Sequence, residues 1–265
     1  MFVKSILHST KKFDRDEHNM AIEVKPTVRL MSHTPDPDKL VATAAMVCYA
    51  DNIEEIHVDE NTKIIDRLKS MGHMSPFEHA SFTFLIDGIS RACSHQLVRH
   101  RIASYSQRSQ RYVTETALRY VMPDGLRGKK CSLNGSQVDA EEYFKDIMGK
   151  AEDAYNTINK ALGDIGEKSN EIARSVLPNA TATTIMVTMN ARSLFNFFSE
   201  RLCMRSQSEI RNVANMMLSL VKDVAPKIFS GVGPKCVMTG KCPERKPCGK
   251  FANMVVTYGD DAYGK

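Results

Sequence analysis

Residues 99–109 read Arg99-His100-Arg101-Ile102-Ala103-Ser104-Tyr105-Ser106-Gln107-Arg108-Ser109, and Arg111 follows two places on. Positive charge and hydrogen-bond donors are gathered here into one short segment. Between Ser90 and Pro123 there are six arginines, at 91, 99, 101, 108, 111 and 119, against one acid, Glu115. Guanidinium groups present planar forks of donors that match phosphate oxygens. Arginines beside Ser and Gln therefore suit a phosphorylated small molecule. The competing reading is a solvated basic helix face, the commoner fate of a charge run.

Working outward, Ser90–His100 reads as a helix, and Arg101–Arg111 as a loop with some helical turn. Upstream, Val24–Met31 alternates like a strand. Pro35-Asp36-Pro37-Asp38 is a helix-start signal for Lys39–Ala50. Asn61–Met71 is a second helix, stopped at Gly72. Ser75-Pro76 opens a short helical turn, and Ala80–Ile86 is a strand. Downstream, Pro123–Gly135 reads as a loop, Val138–Leu162 as a long amphipathic helix and Glu167–Leu177 as another. Thr181–Met189 is β-branched-rich and reads as a strand. Helices are expected over Asn190–Met204 and Ser208–Phe229. The first 25 residues are polar and read as an arm or loop. Few strands among many helices, without regular alternation, argue for an α+β fold. There is no Gly-rich dinucleotide fingerprint or phosphate loop, so any bound nucleotide would be held some other way, with side-chain arginines as the natural substitute.

The chain of 265 residues can bury a sizeable core, and its charge of +5 suits anionic small molecules without demanding nucleic acid. Met1–Thr10 has no long apolar run, and Leu40–Ala50 is too short to span a bilayer. A cytoplasmic protein is expected. Seven scattered cysteines argue against a disulfide framework. Cys48 and Cys93 fall in helical patterns and read as core residues.

Three blocks together carry a family resemblance. They are Gly72-His73-Met74-Ser75-Pro76-Phe77-Glu78-His79, the Arg99–Ser109 stretch, and Asn190-Ala191-Arg192-Ser193-Leu194-Phe195-Asn196-Phe197-Phe198 running on to Arg201 and Gln207-Ser208-Glu209-Ile210. From about Pro35 to Phe229 the chain resembles the flavin-dependent thymidylate synthases. The resemblance implies helices around a small antiparallel sheet, of the thymidylate synthase-complementing type, assembled as a homotetramer with sites where chains meet. It implies conversion of dUMP to dTMP, with 5,10-methylenetetrahydrofolate as carbon donor and NADPH as reductant through tightly bound FAD. Residues 1–230 would form that domain and 231–265 a Cys-containing tail.

The same resemblance assigns roles. Ser75, Arg99, His100, Arg101, Gln107, Asn190, Arg192 and Asn196 match residues that hold FAD. Gln96, Arg99, Gln107, Arg108, Ser109, Arg111, Arg174 and Arg201 match residues around dUMP. Arg201 matches the catalytic arginine that polarises the uracil ring, and His73 lies on the folate or nicotinamide approach. Gln107 replaces the Glu of many relatives, and Arg205 the His of some.

Other readings stand beside these. On a helix spanning 190–205, residues 190, 194, 197, 201 and 205 share one face and 192, 196, 199 and 203 the opposite one. Such a helix would sit between two ligands or two subunits, or simply carry unrelated ion pairs. Phe195, Phe197 and Phe198 read as core or interface packing. Tyr105, Tyr112 and Tyr120 among basic runs could stack bases, although no nucleic-acid partner is expected. Cys203 could be a nucleophile in a cysteine-dependent methylase. No metal is expected at His73 and His79, which a proline separates. Cys236, Cys242 and Cys248 are each separated by five residues, lack Cys-x-x-Cys spacing, and read as free thiols in a loosely ordered tail ahead of a structural zinc.

Overall fold

The computed structural model describes residues 21–56 and 62–259. The expected N-terminal arm falls almost wholly on residues 1–20, outside them, as does Asn61. Strands β1 (Ile22–Glu23) and β2 (Thr27–His33) lead into helices α1 (Pro37–Met46) and α2 (Ile64–Met71). Strand β3 (Ser81–Ser90) runs into α3 (Arg91–Leu97), followed by β4 (Ser104–Gln107), β5 (Arg119–Tyr120) and the hairpin β6 (Lys130–Leu133) and β7 (Ser136–Asp139). Then come α4 (Ala140–Ala161), α5 (Glu167–Ala173), β8 (Ala182–Asn190), α6 (Ala191–Arg201), α7 (Ser208–Val224), α8 (Pro226–Phe229), α9 (Lys235–Met238) and α10 (Phe251–Tyr258).

The centre is a four-stranded antiparallel sheet in the order β2-β3-β8-β4. Alternation along β3 and β8 sends Phe82, Phe84, Ile86, Ile185, Val187 and Met189 to one fully buried face. That face packs on α6 and on the Ile210, Val213, Ala214, Met217, Leu218 and Val221 stripe of α7. Edge-on aromatic contacts stitch the layers together, including Phe77–Phe195 at 5.2 Å, Phe195–Phe229 at 5.6 Å and Phe82–Phe229 at 5.3 Å. Phe195, Phe197 and Phe198 are thus core residues. The sheet's other face is polar, with Thr83 and Thr188 hydroxyls bonded at 2.9 Å. Near one end of β3, a bulge in its pairing with β8 places Gly88 at φ +72°, where a Cβ would lie 2.5 Å from the Lys25 carbonyl oxygen.

A second, smaller core joins β5 to α4 through Leu118, Tyr120, Met122 and Met148. Beside it lies a buried polar network. Tyr155 donates to Asn170 Oδ1 at 2.9 Å, and Asn170 donates to the Arg111 carbonyl at 3.0 Å. Glu152 accepts from the Leu118 N–H at 3.0 Å. This network fixes the 108–118 segment onto α4 and α5.

Several expectations need correction. Arg101–Arg111 contains a strand, β4, because Tyr105 and Gln107 alternate with exposed Ser104 and Ser106 against β8. Pro123–Gly135 holds β6 and the turn of a hairpin. Its Asn134-Gly135 turn has φ of 52° and 83°, the left-handed pair that a two-residue hairpin loop demands. The final long helix breaks at Pro226, which cannot donate to the preceding turn. Since α1 ends at Met46, Cys48 leaves the helical period and is exposed, whereas Cys93 is buried.

The tail folds back on the main core. Val232, Val237 and Tyr258 join it, and the Tyr258 hydroxyl donates to Asn215 on α7 at 2.7 Å.

Candidate active site

The Arg99–Arg101 turn is positioned by capping and by one tyrosine. Ser90 accepts from the Cys93 N–H at 3.0 Å and so starts α3. Glu209 on α7 locks that cap, accepting from the Ser90 N–H at 2.7 Å and its hydroxyl at 2.6 Å. α3 stops at Leu97, and the Tyr105 hydroxyl is shared between the carbonyls of Leu97 at 2.9 Å and His100 at 2.8 Å. Burial pushes that phenol up to about 12, so it stays a donor.

His100, Arg101, Asn190, Arg192 and Asn196 line one cavity of about 340 Å³, with Glu78, Ile102 and Ser193. Asn190 caps α6, accepting from the Ser193 N–H at 2.9 Å. Arg192 pairs with Glu78 at the rim. His100 is wedged edge-on against Phe197, 5.0 Å between centroids, and its Nε2 accepts the Arg201 Nε–H at 3.0 Å. Burial, and then the Arg201 charge, hold its pKa below 6.5. The ring is therefore neutral, with its proton on Nδ1.

His73 and Ser75 line a neighbouring cavity of about 290 Å³ that shares Arg192. Gln96 and Arg201 line a third, of about 590 Å³, with Ser199, Gln207 and four cysteines. Gln96 donates to Gln207 there. Arg192 and Asn196 thus serve a different cavity from Arg201, as the helical spacing suggests. Asn190 sides with Arg192, because it is an extended cap rather than a helical residue. Cys203 sides with Arg201, because α6 ends at Arg201. Arg205, also past the helix, donates to the Lys246 carbonyl at 3.2 Å and pairs with Glu244 at 3.2 Å.

Arg108, Ser109, Arg111 and Arg174 are built elsewhere. Arg108 pairs with buried Glu115 at 2.6 Å. Arg111 pairs with Glu167 at 2.5 Å and Glu171 at 3.2 Å, while its own Nε is buried without an acceptor. Ser109 Oγ accepts from the Arg111 N–H at 3.1 Å. Gln107 turns beneath the sheet, donating to Ser94 Oγ at 2.9 Å and Thr183 Oγ1 at 3.3 Å, and lines neither of the cavities of His100 and Arg201. Arg99 is exposed and lines none of the three cavities.

One residue escaped the sequence reading. Burial, and then the neighbouring Arg174 charge, lower the Arg91 pKa, and Glu115 opposes them. Arg91 thus lies within electrostatic reach of both Arg174 and the buried carboxylate of Glu115, with which Arg108 pairs. That arrangement has cationic capacity to spare for an anion. The available signal was position: a cation at the first residue of α3 opposes the helix dipole.

The tyrosine platform does not form. Tyr120 is 1% exposed and Tyr105 is tied to its own turn, leaving Tyr112 on the surface.

Comparison with known proteins gives the family. Residues 29–227 match the model of the thymidylate synthase complementing protein family. A flavin-dependent thymidylate synthase of Geobacter sulfurreducens is 49% identical over 233 residues, covering 86% of this chain and 95% of the relative. One from Clostridium tetani is 45% identical over 240 residues, covering 87% and 96%. The crystal structure of the UMP/dUMP methylase PolB from Streptomyces cacaoi, bound with 5-Br dUMP, superposes with a TM-score of 0.63. It is 27% identical and covers 79% of this chain and 97% of that one. The chain belongs to the thymidylate synthase complementing family, that of the flavin-dependent thymidylate synthases. Among the described residues no helix is long and apolar enough to cross a membrane.

Proposed function

We propose that this chain catalyses the reductive methylation of dUMP to dTMP. 5,10-Methylenetetrahydrofolate supplies the carbon, and NADPH the electrons through bound FAD. The observation that carries this reading is the convergence of His100, Arg101, Asn190, Arg192 and Asn196 on one cavity. Two guanidinium groups and two amides suit the pyrophosphate and polar edges of a flavin dinucleotide. At about 340 Å³ the cavity lies at the small end of ligand pockets, roughly 300–1,000 Å³, and takes part of such a molecule. The remainder would lie against a neighbouring chain. This fits the exposure of Arg99, Arg101 and Ile102 and supports a homotetramer with shared sites.

When bound, FAD supplies hydride chemistry. The chain's residues supply the rest. Ser109, Arg111 and Arg174 hold the substrate phosphate, with Arg91 and Arg108 adding to the positive field. Gln96 orients the nucleotide. Arg201 places a cation beside the uracil ring and stabilises the negative charge that develops as C5 becomes nucleophilic. His100, neutral and bonded to Arg201, fixes where that cation points. His73 and Ser75 lie along the approach for folate or nicotinamide.

The test is dTMP formation from dUMP by purified protein, with each of FAD, NADPH and methylenetetrahydrofolate omitted in turn. Dependence on all three is expected. Turnover without flavin or NADPH, abolished by Cys203→Ala, would favour a cysteine-dependent methylase instead. Light scattering of the same preparation is expected to give four chains per particle.

A further inference from the structure

Four of the chain's seven cysteines meet at one place. Cys203 lies just past the end of α6, Cys236 in α9, Cys242 in the following turn and Cys248 just before α10. All four line the 590 Å³ cavity, and none is in a disulfide. Cys93, outside this group, is fully buried, and Cys236 packs partly against the core. These four are half-buried or exposed.

The segment carrying two of them has little else to hold it. Residues 241–250 contain no helix or strand, and all but Cys242 are exposed. Their links to the body include the Arg205–Glu244 pair and the Arg205 bond to the Lys246 carbonyl, both on the surface and both weak. A segment that buries no apolar side chain needs another staple.

We propose that Cys203, Cys236, Cys242 and Cys248 form a structural zinc site that fastens the C-terminal segment against the wall containing Arg201. An all-sulfur donor set selects zinc over magnesium or calcium, and four thiolates close its tetrahedral shell. Binding converts each coordinating S–H into a thiolate and releases its proton to solvent, leaving a site of charge −2. Arg205 and Lys235 line the same cavity and offset that charge. As placed, no three of the described His, Cys, Asp or Glu side chains stand at ligating geometry. The irregular 241–250 segment must therefore draw inward by the distance that separates loosely facing thiols from a Zn–S bond of about 2.3 Å.

The test uses the full chain purified without chelator, in reductant. Elemental analysis is expected to give about one zinc per chain, falling to about a tenth of that in Cys242→Ser and Cys248→Ser. Circular dichroism monitors whether those variants fold. If they do not, a mercurial titration of the wild-type chain replaces them, with zinc release followed by a colorimetric chelator. About one zinc released as four thiols react supports the site. A metal-free chain that also fails to take up added zinc overturns it. So does zinc retained after both Ser substitutions, release that does not track thiol modification, or iron with visible charge-transfer bands in place of zinc.

Discussion

The Nε–H of Arg201 points at Nε2 of His100, 3.0 Å away, so the last residue of α6 is tied to the turn after α3. The two residues face different cavities. His100 lines the one shared with Arg192 and Asn196, and Arg201 lines the one shared with Gln96 and Gln207. This bond is the direct contact between the proposed flavin and nucleotide halves of the site.

Arg201→Ala is expected to keep its yellow colour and lose about 10²–10³-fold in turnover, the usual cost of removing a preorganised charge-stabilising group. Arg201→Lys restores the charge without the planar fork, and is expected to recover only part of the loss. Steady-state kinetics beside a flavin spectrum check this. Normal turnover in the alanine variant contradicts the assignment.

The His100 ring gives a pH signature. Its folded pKa lies below 6.5, because of burial and the Arg201 charge. Below pH 6.5 the unfolded chain takes up a proton that the folded ring refuses. Stability from neutral His100 is thus present above 6.5 and declines as pH falls through and below it. The melting temperature should drop more between about pH 7.5 and about 5.5 in the wild type than in His100→Gln. Equal drops would show that His100 is not held neutral.

Arg192→Ala separates binding from folding. Its pair with Glu78 is half-exposed and contributes about 0–1 kcal/mol to stability. The variant should melt near the wild-type temperature yet lose FAD on gel filtration. Full flavin retention would remove Arg192 from the cofactor site.

Arg91→Ala tests the residue that sequence reading missed. A lost charge-assisted contact of about 1.5–3 kcal/mol corresponds to a rise in KM for dUMP of about tenfold or more. Flavin content should be unchanged. An unaltered KM would confine Arg91 to a structural role beside Glu115.

Gly88→Ala tests the sheet. The position combines φ +72° with a carbonyl only 2.5 Å from the added carbon. A loss of about 2 kcal/mol or more is expected in denaturant titration. A stability equal to wild type would mean that the β3–β8 bulge at Gly88 is not as described.

The architecture was legible where periodicity was strong. β3, α4 and α6 follow from alternation or helical spacing, β8 from its β-branched residues, and Gly72 ends α2 in the left-handed region, at φ 72°. β4 was not legible, because four small or polar-flanked residues become a strand only through pairing with β8. The β6–β7 hairpin was legible in principle, since Asn134-Gly135 is a strong turn signal that a charged, Gly-containing stretch obscured. At the site, His100 and Arg192 could be placed from local blocks. The Arg201–His100 bond and the Arg91–Arg174 proximity join residues many positions apart, and only the folded sheet brings them together.

The most direct measurement is the visible absorption spectrum of the purified protein before and after NADPH is added without oxygen. An oxidised-flavin spectrum that bleaches is the predicted result. A colourless protein that also fails to take up added FAD would contradict the account at its centre, whatever the fold.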